Sequence, residues 1–275
     1  MAKLQRGIQS IEVGGQLLLA LLKSGEPMIL RDLASEAGMP SANAHPYLVS
    51  FGKLGLVKQD AAMGHYELGP LALQLGLAAL QRLNPVREAE TEIAAFAKKT
   101  GQGAFMSVWG NLGPTVVRIE QSNYPIHVSI RIGTVMSLAN TATGQVFAAF
   151  MPPKLIEKMM QEDFYRLGGK PKDAGDIGKK FEQSLIEVRR RGLARVSGTP
   201  IPGIEALSAP VFDHTGNIIL TITAMGLTGV FDSAWKGEMT SALTACVANI
   251  SARLGYPSTD TGNDQSGKAD LPVKL

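Results

Sequence analysis

The spacing of apolar residues predicts a helical N-terminal segment that ends in a β-hairpin. Apolar residues at three- and four-residue intervals predict one helix over residues 8–24 and a second over 30–37, with Gly38 placed to end it. A third helical stripe, which ends at Gly55, consists of Ala44, Leu48, Phe51 and Leu54. Two short β-like segments follow at 56–59 and 65–68, and residues 61–64 join them.

Two helices joined by a short turn and followed by a hairpin form the layout of a winged helix-turn-helix. In that arrangement the second helix lies in a DNA major groove, while the hairpin contacts the backbone or the neighbouring groove. Helix–turn–helix packing is also common in proteins that never bind DNA. The pattern alone therefore leaves two interpretations of this segment open, a DNA-binding domain and a simple packing unit.

The segment after the hairpin is strongly apolar. Residues 71–80 read LALQLGLAAL and predict a helix that stops before Asn84 and Pro85. A helix of this composition on the edge of a small domain needs a partner. The partner is either another part of the same subunit or a second subunit.

From residue 85 onward, predicted helices alternate with β-like segments. Helices are predicted at 86–97, 141–151, 154–165, 174–191 and 232–254, and strands at 104–109, 115–120, 127–132, 207–212 and 217–225. Residues 213–216, Asp-His-Thr-Gly, are an apt hairpin turn between the last two strands. The pattern predicts an α+β domain in which helices pack on an antiparallel sheet. The polar tail after residue 256 is predicted to be disordered.

Composition favours a cytoplasmic protein of two domains. The chain has 275 residues, of which 45% are hydrophobic, so it can bury a large core. No apolar run is long enough to cross a bilayer, and the N-terminus lacks the features of a secretory signal. Cys246 is the only cysteine, which excludes an intrachain disulfide and a thiolate zinc cage.

Net charge gives little support for DNA binding. The formal charge of the chain is +3, and the charges of residues 1–70 cancel. The residues concerned are Lys3, Arg6, Lys23, Arg31, Lys53 and Lys58 against Glu12, Glu26, Asp32, Glu36, Asp60 and Glu67. Phosphate binding would therefore depend on where the charges lie, or on their doubling in a dimer.

Several short motifs resemble those of IclR-type transcriptional regulators. In the N-terminal half they are IQSIE at 8–12, Leu33-Ala34, Gly38-Met39-Pro40, Gly55-Leu56-Val57 and YELGP at 66–70. In the second half they are GTVMSLANTATG at 133–144, Gly192-Leu193, Pro202-Gly203-Ile204, APVFD at 209–213 and Gly216. The resemblance covers about residues 8–256, and the order and spacing of the motifs make it specific.

The resemblance implies a fold, partners and a mode of control. It implies a winged helix-turn-helix DNA-binding domain at 1–70, a linker helix at 71–84 and a GAF-like effector-binding domain at 85–256, followed by a tail at 257–275. The expected function is sequence-specific regulation of a catabolic operon under the control of a small molecule. The expected partners are double-stranded DNA with a palindromic operator and a second copy of the chain, or a dimer of dimers. No cofactor is expected.

The recognition helix departs from the family pattern. Family members resemble LPKSTVHRLL here, whereas this chain reads MPSANAHPYL at 39–48, so the usual basic positions are Ser41 and Pro46. Asparagine can pair with adenine, and serine with either base type. The candidate DNA-binding residues are Arg31, Ser41, Asn43, His45, Tyr47, Lys53 and His65. For each single residue, a solvated helix face remains the alternative.

Pro46 sets the expected start of the recognition helix. Proline inside a helix removes a hydrogen bond at a cost of about 3 kcal/mol, but the first turn tolerates it. If Ser41 caps the helix, Pro46 falls beyond the first turn, and if Asn43 caps it, Pro46 falls within it. We expect the later start, with Asn43 as the cap.

The resemblance also implies an effector pocket in the second domain. Its residues would be Met136, Leu138, Asn140, Thr141, Ile204, Ala206, Thr223 and Met225, with Phe105 and Trp109 as an aromatic wall. Val196, Ala206 and Met225 stand where relatives that sense small keto acids carry polar groups. This apolar set favours an aromatic or largely apolar ligand. If that ligand were an acid, Arg118 or Arg131 would be its partner. The alternative is that Phe105, Met136 and Met225 are simply core.

Nothing in the sequence favours an enzyme. His127 and His214 have no neighbouring ligands at metal spacing, and no phosphate-binding loop is present. Cys246 lies in an apolar helix, where a buried structural thiol is expected. A stronger rival is a small-molecule sensor that has lost specific DNA binding, because the recognition helix lacks the family's charge.

Overall fold

The chain divides into two compact units, Met1–Leu83 and Asn84–Leu275. The structure is a computed structural model, and it describes residues 7–123, 130–166 and 174–257. The predicted disordered tail lies almost wholly outside the described residues. No described helix is long and apolar enough to span a membrane.

The N-terminal unit is a winged helix-turn-helix. Its elements are α1 (Gln9–Ser24), α2 (Leu30–Glu36), α3 (Ser41–Leu54), β1 (Val57–Gln59), β2 (Tyr66–Leu68) and α4 (Pro70–Arg82). The two strands pair antiparallel. The apolar stripes of the sequence form one core, which consists of Leu17, Ala20, Leu21, Leu33, Ala34, Ala44, Leu48, Val57 and Tyr66. The period of the stripes therefore predicted the fold of this unit, although Leu54 of the predicted α3 stripe is exposed.

The recognition helix α3 starts earlier than predicted. It begins at Ser41 with Pro40 at the N-cap, and no side chain caps it. Asn43 is therefore inside the first turn and is not the cap, so the expectation of a late start was wrong. Pro46 lies in the helix interior. The burial of Ala44 and Leu48 against the other helices favours the longer helix over the hydrogen bond that proline removes.

Gly69 brings α4 close to the end of α3. A Cβ at residue 69 would lie 2.3 Å from the carbonyl oxygen of Gly55, so only glycine fits. The Gly69 amide donates to the carbonyl of Leu56 at 2.8 Å, and the Leu71 amide donates to that of Gly55 at 2.9 Å. These bonds fix the N-terminus of α4 to the helix-turn-helix.

The C-terminal unit is an antiparallel sheet with helices on its faces. Its helices are α5 (Pro85–Thr100), α6 (Ala142–Phe150), α7 (Pro153–Arg166), α8 (Ala174–Arg191) and α9 (Glu238–Arg253). Its strands are β3 (Gly103–Gly110), β4 (Gly113–Glu120), β5 (Ala194–Ser197), β6 (Ile204–Phe212) and β7 (Ile218–Leu227), in the order β4-β3-β7-β6-β5. Helices α5 and α9 pack together on the sheet, and α6 packs on the sheet with α8 beside it. The α+β prediction is confirmed.

Two predicted elements of this unit need correction, and one strand was missed. The last helix begins at Glu238 rather than at residue 232, because the Asp232 carboxylate accepts bonds from the amides of Ala234 and Glu238 and forms a turn there. The short edge strand β5 was not predicted. Of the predicted strand 127–132, residues 127–129 lie outside the described residues, and residues 130–132 are not a strand.

Candidate functional site

Helix α3 presents a polar but nearly uncharged surface. Asn43, His45 and Lys53 are exposed, and Ser41 is half-buried. Tyr47 instead packs against the N-terminal core, and a Cβ added at Gly14 of α1 would lie 2.8 Å from its ring. The structure therefore leaves Tyr47 fewer atoms to offer a base than the sequence predicted, whereas Asn43 and His45 lie on the open face.

The charges around α3 are mostly paired within the unit. Arg31 donates to Asp32 at 3.0 Å, and Lys58 of β1 lies 3.1 Å from Glu67 of β2. Lys53 makes no ion pair with any described residue. Because exposed ion pairs contribute about 0–1 kcal/mol, Arg31 can exchange its partner for a phosphate at little cost.

The hairpin carries a hydrogen-bonded, negatively charged turn. The Asp60 carboxylate accepts bonds from the amides of Met63 at 2.7 Å and Ala62 at 2.8 Å, and both lower the pKa of this carboxyl below its ordinary value. His65 lies half-buried beside this turn. His65 is thus available to contact a DNA phosphate, but the negatively charged Asp60 carboxylate lies in the adjacent turn.

A cavity of about 310 Å³ opens in the C-terminal unit between the sheet, the start of α6 and two loops. Its walls include Phe105, Met136, Asn140, Thr141, Ile204, Ala206, Thr223 and Met225, all of which the sequence placed in a pocket. The remaining lining residues are Ile130, Thr134, Val135, Ser137, Ala142, Thr143, Val196, Thr199, Pro200 and Ile201. Among the lining residues that the structure describes, none carries a formal charge.

The floor of the cavity contains buried hydroxyl groups. Thr143 on α6 and Thr223 on β7 both line the cavity, and their Oγ1 atoms lie 2.8 Å apart. The Thr223 hydroxyl donates to Ser208 Oγ on β6, also at 2.8 Å. Thr141 caps α6 by accepting a bond from the amide of Gly144. Polar groups are therefore concentrated where α6 meets the sheet.

Two predicted pocket residues lie elsewhere. Leu138 is fully buried in the apolar core under α6, and Trp109 packs against that core with its ring 5.6 Å from that of Phe147. Neither lines the cavity. Trp109 shares a strand face with Phe105 but lies four residues further along β3, a distance of about 13 Å. Its indole therefore reaches the middle of α6 and not the cavity.

The proposed arginine partners for an acidic ligand also lie outside the cavity. Arg118 forms ion pairs with Glu120 at 2.8 Å and Glu90 at 3.1 Å. Arg131 is exposed to solvent and does not line the cavity. The structure therefore assigns neither arginine to a ligand in this space.

Comparison with known protein families covers both units. Residues 10–61 match the IclR helix-turn-helix domain, and residues 77–252 match the C-terminal domain of the bacterial transcriptional regulator IclR. The chain belongs to the IclR family of transcriptional regulators. The resemblance found in the sequence motifs is confirmed, and the N-terminal unit is a helix-turn-helix DNA-binding domain.

Individual relatives are similar over nearly their whole length. The glycerol operon regulatory protein of Streptomyces griseus is 30% identical over 256 residues, which are 91% of this chain and 98% of that protein. The transcriptional regulator XynR of Escherichia coli is 23% identical over 91% of this chain and 99% of its own. The crystal structure of Pseudomonas aeruginosa HmgR is 35% identical, covers 92% of this chain and 100% of its own, and superposes with a TM-score of 0.81.

Part of the cavity of this IclR regulator is formed by residues that the sequence did not predict. Thr143, and residues 199–201 from the loop between β5 and β6, line the cavity without having been predicted. The loop follows a strand that was not predicted, so its position was unknown. Thr143 lies in the motif at 133–144 and in the first turn of α6, and only its hydrogen bond with Thr223 on β7 distinguishes it from other small residues of α6.

The chain carries no assembled metal centre in its described parts. Among residues 7–123, 130–166 and 174–257, no three His, Cys, Asp or Glu side chains come together as metal ligands. Cys246 is 6% exposed on α9, and burial, with a smaller effect of Glu92, raises the pKa of its thiol to about 12. A thiol that stays protonated is a poor nucleophile. The family is one of transcriptional regulators.

Proposed function

We propose that this IclR-family protein is a homodimeric regulator of a catabolic operon whose DNA binding is controlled by a small aromatic or largely apolar metabolite. In this proposal residues 1–70 bind a palindromic operator, 71–84 form the linker helix and 85–256 bind the effector. The observation that carries the effector class is the uncharged, mostly apolar wall of the cavity.

The cavity lining selects against small charged acids. A carboxylate that leaves water needs charged or strongly donating partners, and none of the described lining side chains supplies a cation. Phe105, Met136, Ile204 and Met225 instead offer surface to an apolar ring. A cavity of about 310 Å³ is at the small end of ligand sites, which suits a single substituted ring.

DNA contact is proposed for the open face of α3 and for nearby cations. Asn43, His45 and Ser41 would face base edges, while Arg31, Lys53 and His65 would contact phosphates. In a symmetric dimer two such helices read two half-sites. The run of leucines on α4 is the proposed dimer contact and the proposed route by which effector binding shifts the two DNA-binding domains.

We expect saturable, sequence-specific DNA binding with a shallow salt dependence. Few cations around α3 are unpaired, so few are free to contact phosphates. The logarithm of affinity should therefore fall with the logarithm of salt concentration less steeply than for a strongly basic regulator. Fluorescence anisotropy on DNA fragments upstream of its own and adjoining genes measures the affinity. Titrations between about 50 and 200 mM salt then give the slope of log affinity against log salt. Saturable binding that an aromatic effector changes supports the proposal.

A sensor without specific DNA binding is the second candidate. The observation that favours it is the nearly uncharged surface of α3. In the same titrations, equal affinity for every fragment and for an unrelated duplex would support this candidate and contradict operator recognition.

Asn43→Ala is expected to relax base preference while leaving stability within about 0.5 kcal/mol. The Asn43 side chain is exposed, and no side chain caps α3, so its removal costs no structural bond. A reader of adenine, in contrast, contributes about 1–3 kcal/mol of discrimination. Chemical denaturation and binding to a set of single-base operator variants check the two halves. Asn111→Ala, in the exposed β3–β4 turn, removes the same side chain away from α3 and is the control that should change neither stability nor base preference.

A further inference from the structure

The hydroxyl groups at the floor of the cavity form a continuous hydrogen-bonded chain. The chain runs from Thr143 on α6 through Thr223 on β7 to Ser208 on β6, with both oxygen–oxygen distances at 2.8 Å. Thr143 and Thr223 are 1% exposed and line the cavity, whereas Ser208 is fully buried behind them. The chain therefore has one end at the cavity and the other in the core.

The direction of the chain determines which group the cavity end offers. A hydroxyl has one proton to donate and two lone pairs that accept. Thr223 gives its proton to Ser208, so towards Thr143 it can only accept. Thr143 must then donate to Thr223, which leaves its Oγ1 with a lone pair and no proton for the cavity. At this point of the wall the cavity offers an acceptor.

An acceptor in an apolar wall selects a ligand that carries a donor. We propose that the cavity binds a hydroxylated aromatic compound whose neutral O–H donates to Thr143 Oγ1. This inference rests on the proposed effector function of the cavity and names its ligand class. A phenolic hydroxyl stays protonated at neutral pH, with a pKa near 10 as in tyrosine, so it enters an uncharged wall without losing a proton.

The same geometry separates a phenol from its methyl ether. The ether has the ring and the oxygen but no proton, so two oxygen lone pairs would face each other at Thr143. The phenol should therefore bind at least about tenfold more tightly than the ether, as one good hydrogen bond is worth on the order of a decade in affinity. The probes are 4-methylphenol and 4-methylanisole, measured by isothermal titration calorimetry on the full-length protein.

Two variants test the chain itself. Thr143→Val keeps the branched shape and removes the acceptor. The ratio of the affinity for the phenol to that for the ether should therefore fall towards one. Ser208→Ala does not touch the cavity but frees the Thr223 proton, which can then be donated to Thr143, so that Thr143 donates into the cavity. We expect Ser208→Ala to raise the affinity of the ether severalfold. Thr228→Val, which removes an exposed hydroxyl outside the cavity lining, is the control and should keep the phenol preference.

The outcomes separate the two levels of the proposal. Equal affinity of wild type for phenol and ether would overturn the hydroxyl inference and leave an aromatic effector in place. Preference for the ether that is unchanged by Ser208→Ala would also overturn it. If wild type binds neither probe and no other aromatic compound, the proposed effector class fails, and this inference fails with it.

Discussion

Ala206→Trp is expected to abolish stabilisation by aromatic ligands while the protein stays folded. Ala206 lies on β6 in the cavity wall, with Val196 and Met225 as its register neighbours on β5 and β7. An indole at this position enters space that is empty in the wild type, so it does not incur the usual overpacking cost of about 1–3 kcal/mol. A ligand at 100 times its dissociation constant stabilises the wild type by about 2.7 kcal/mol, and the variant should lose that whole effect.

Thermal unfolding with and without ligand measures this result. The ligand set should contain neutral aromatic compounds, glyoxylate and pyruvate, and only the aromatic compounds should raise the melting temperature of the wild type. Leu112→Trp, in the exposed β3–β4 turn, introduces the same side chain away from the cavity and should keep the full shift. If the small keto acids alone stabilise the wild type, the proposed effector class is wrong.

Leu77→Glu is expected to convert the proposed dimer to a monomer and to weaken operator binding by roughly 10²–10⁴-fold, the usual gain from linking two sites. No residue of α4 is buried, and Leu73, Leu77 and Leu80 form one stripe on it with exposures of 65%, 50% and 43%. Burying a leucine contributes about 1.5–3 kcal/mol, whereas a glutamate in the same interface has to lose its hydration.

Light scattering at micromolar protein concentration gives the mass of the assembly. Anisotropy with a full operator and with a half-site compares the two affinities, and their ratio shows whether two DNA-binding domains act together. Gln74→Glu adds the same charge to an exposed, already polar position of α4 and should leave a dimer. A wild-type protein that is a monomer, or a Leu77→Glu variant that remains a dimer, would remove α4 as the contact. The proposed route of signal transmission would be removed with it.

The N-terminal unit was predictable because burial in a small helical core follows the period of the sequence directly. Leu17, Leu33, Leu48 and Tyr66 are apolar in the pattern and buried in the structure. The start of α3 was not predictable from local rules. Those rules place a proline in the first turn, whereas the packing of Ala44 and Leu48 keeps three further residues, Ser41, Ala42 and Asn43, helical before it.

The cavity was predictable in its apolar part and not in its polar part. Met136 could be placed at the cavity because it belongs to the loop motif at 133–144. Met225 could be placed there because side chains alternate between the two faces of its strand. Leu138 and Trp109 were misplaced because the direction of a loop side chain and the length of a strand face depend on three-dimensional register. The pairing of Thr143 with Thr223 spans 80 residues, and no local pattern indicates it.

The single thiol of the chain provides an internal measure of local opening. Cys246 is protected twice, since α9 buries it and its pKa of about 12 keeps it protonated at neutral pH. Thiol reagents attack the thiolate, so modification requires α9 to separate from its neighbours. The rate at which a disulfide reagent labels the native protein then reports how often this part of the C-terminal unit opens. Because the sequence contains no second cysteine, that rate can be measured on the unmodified chain.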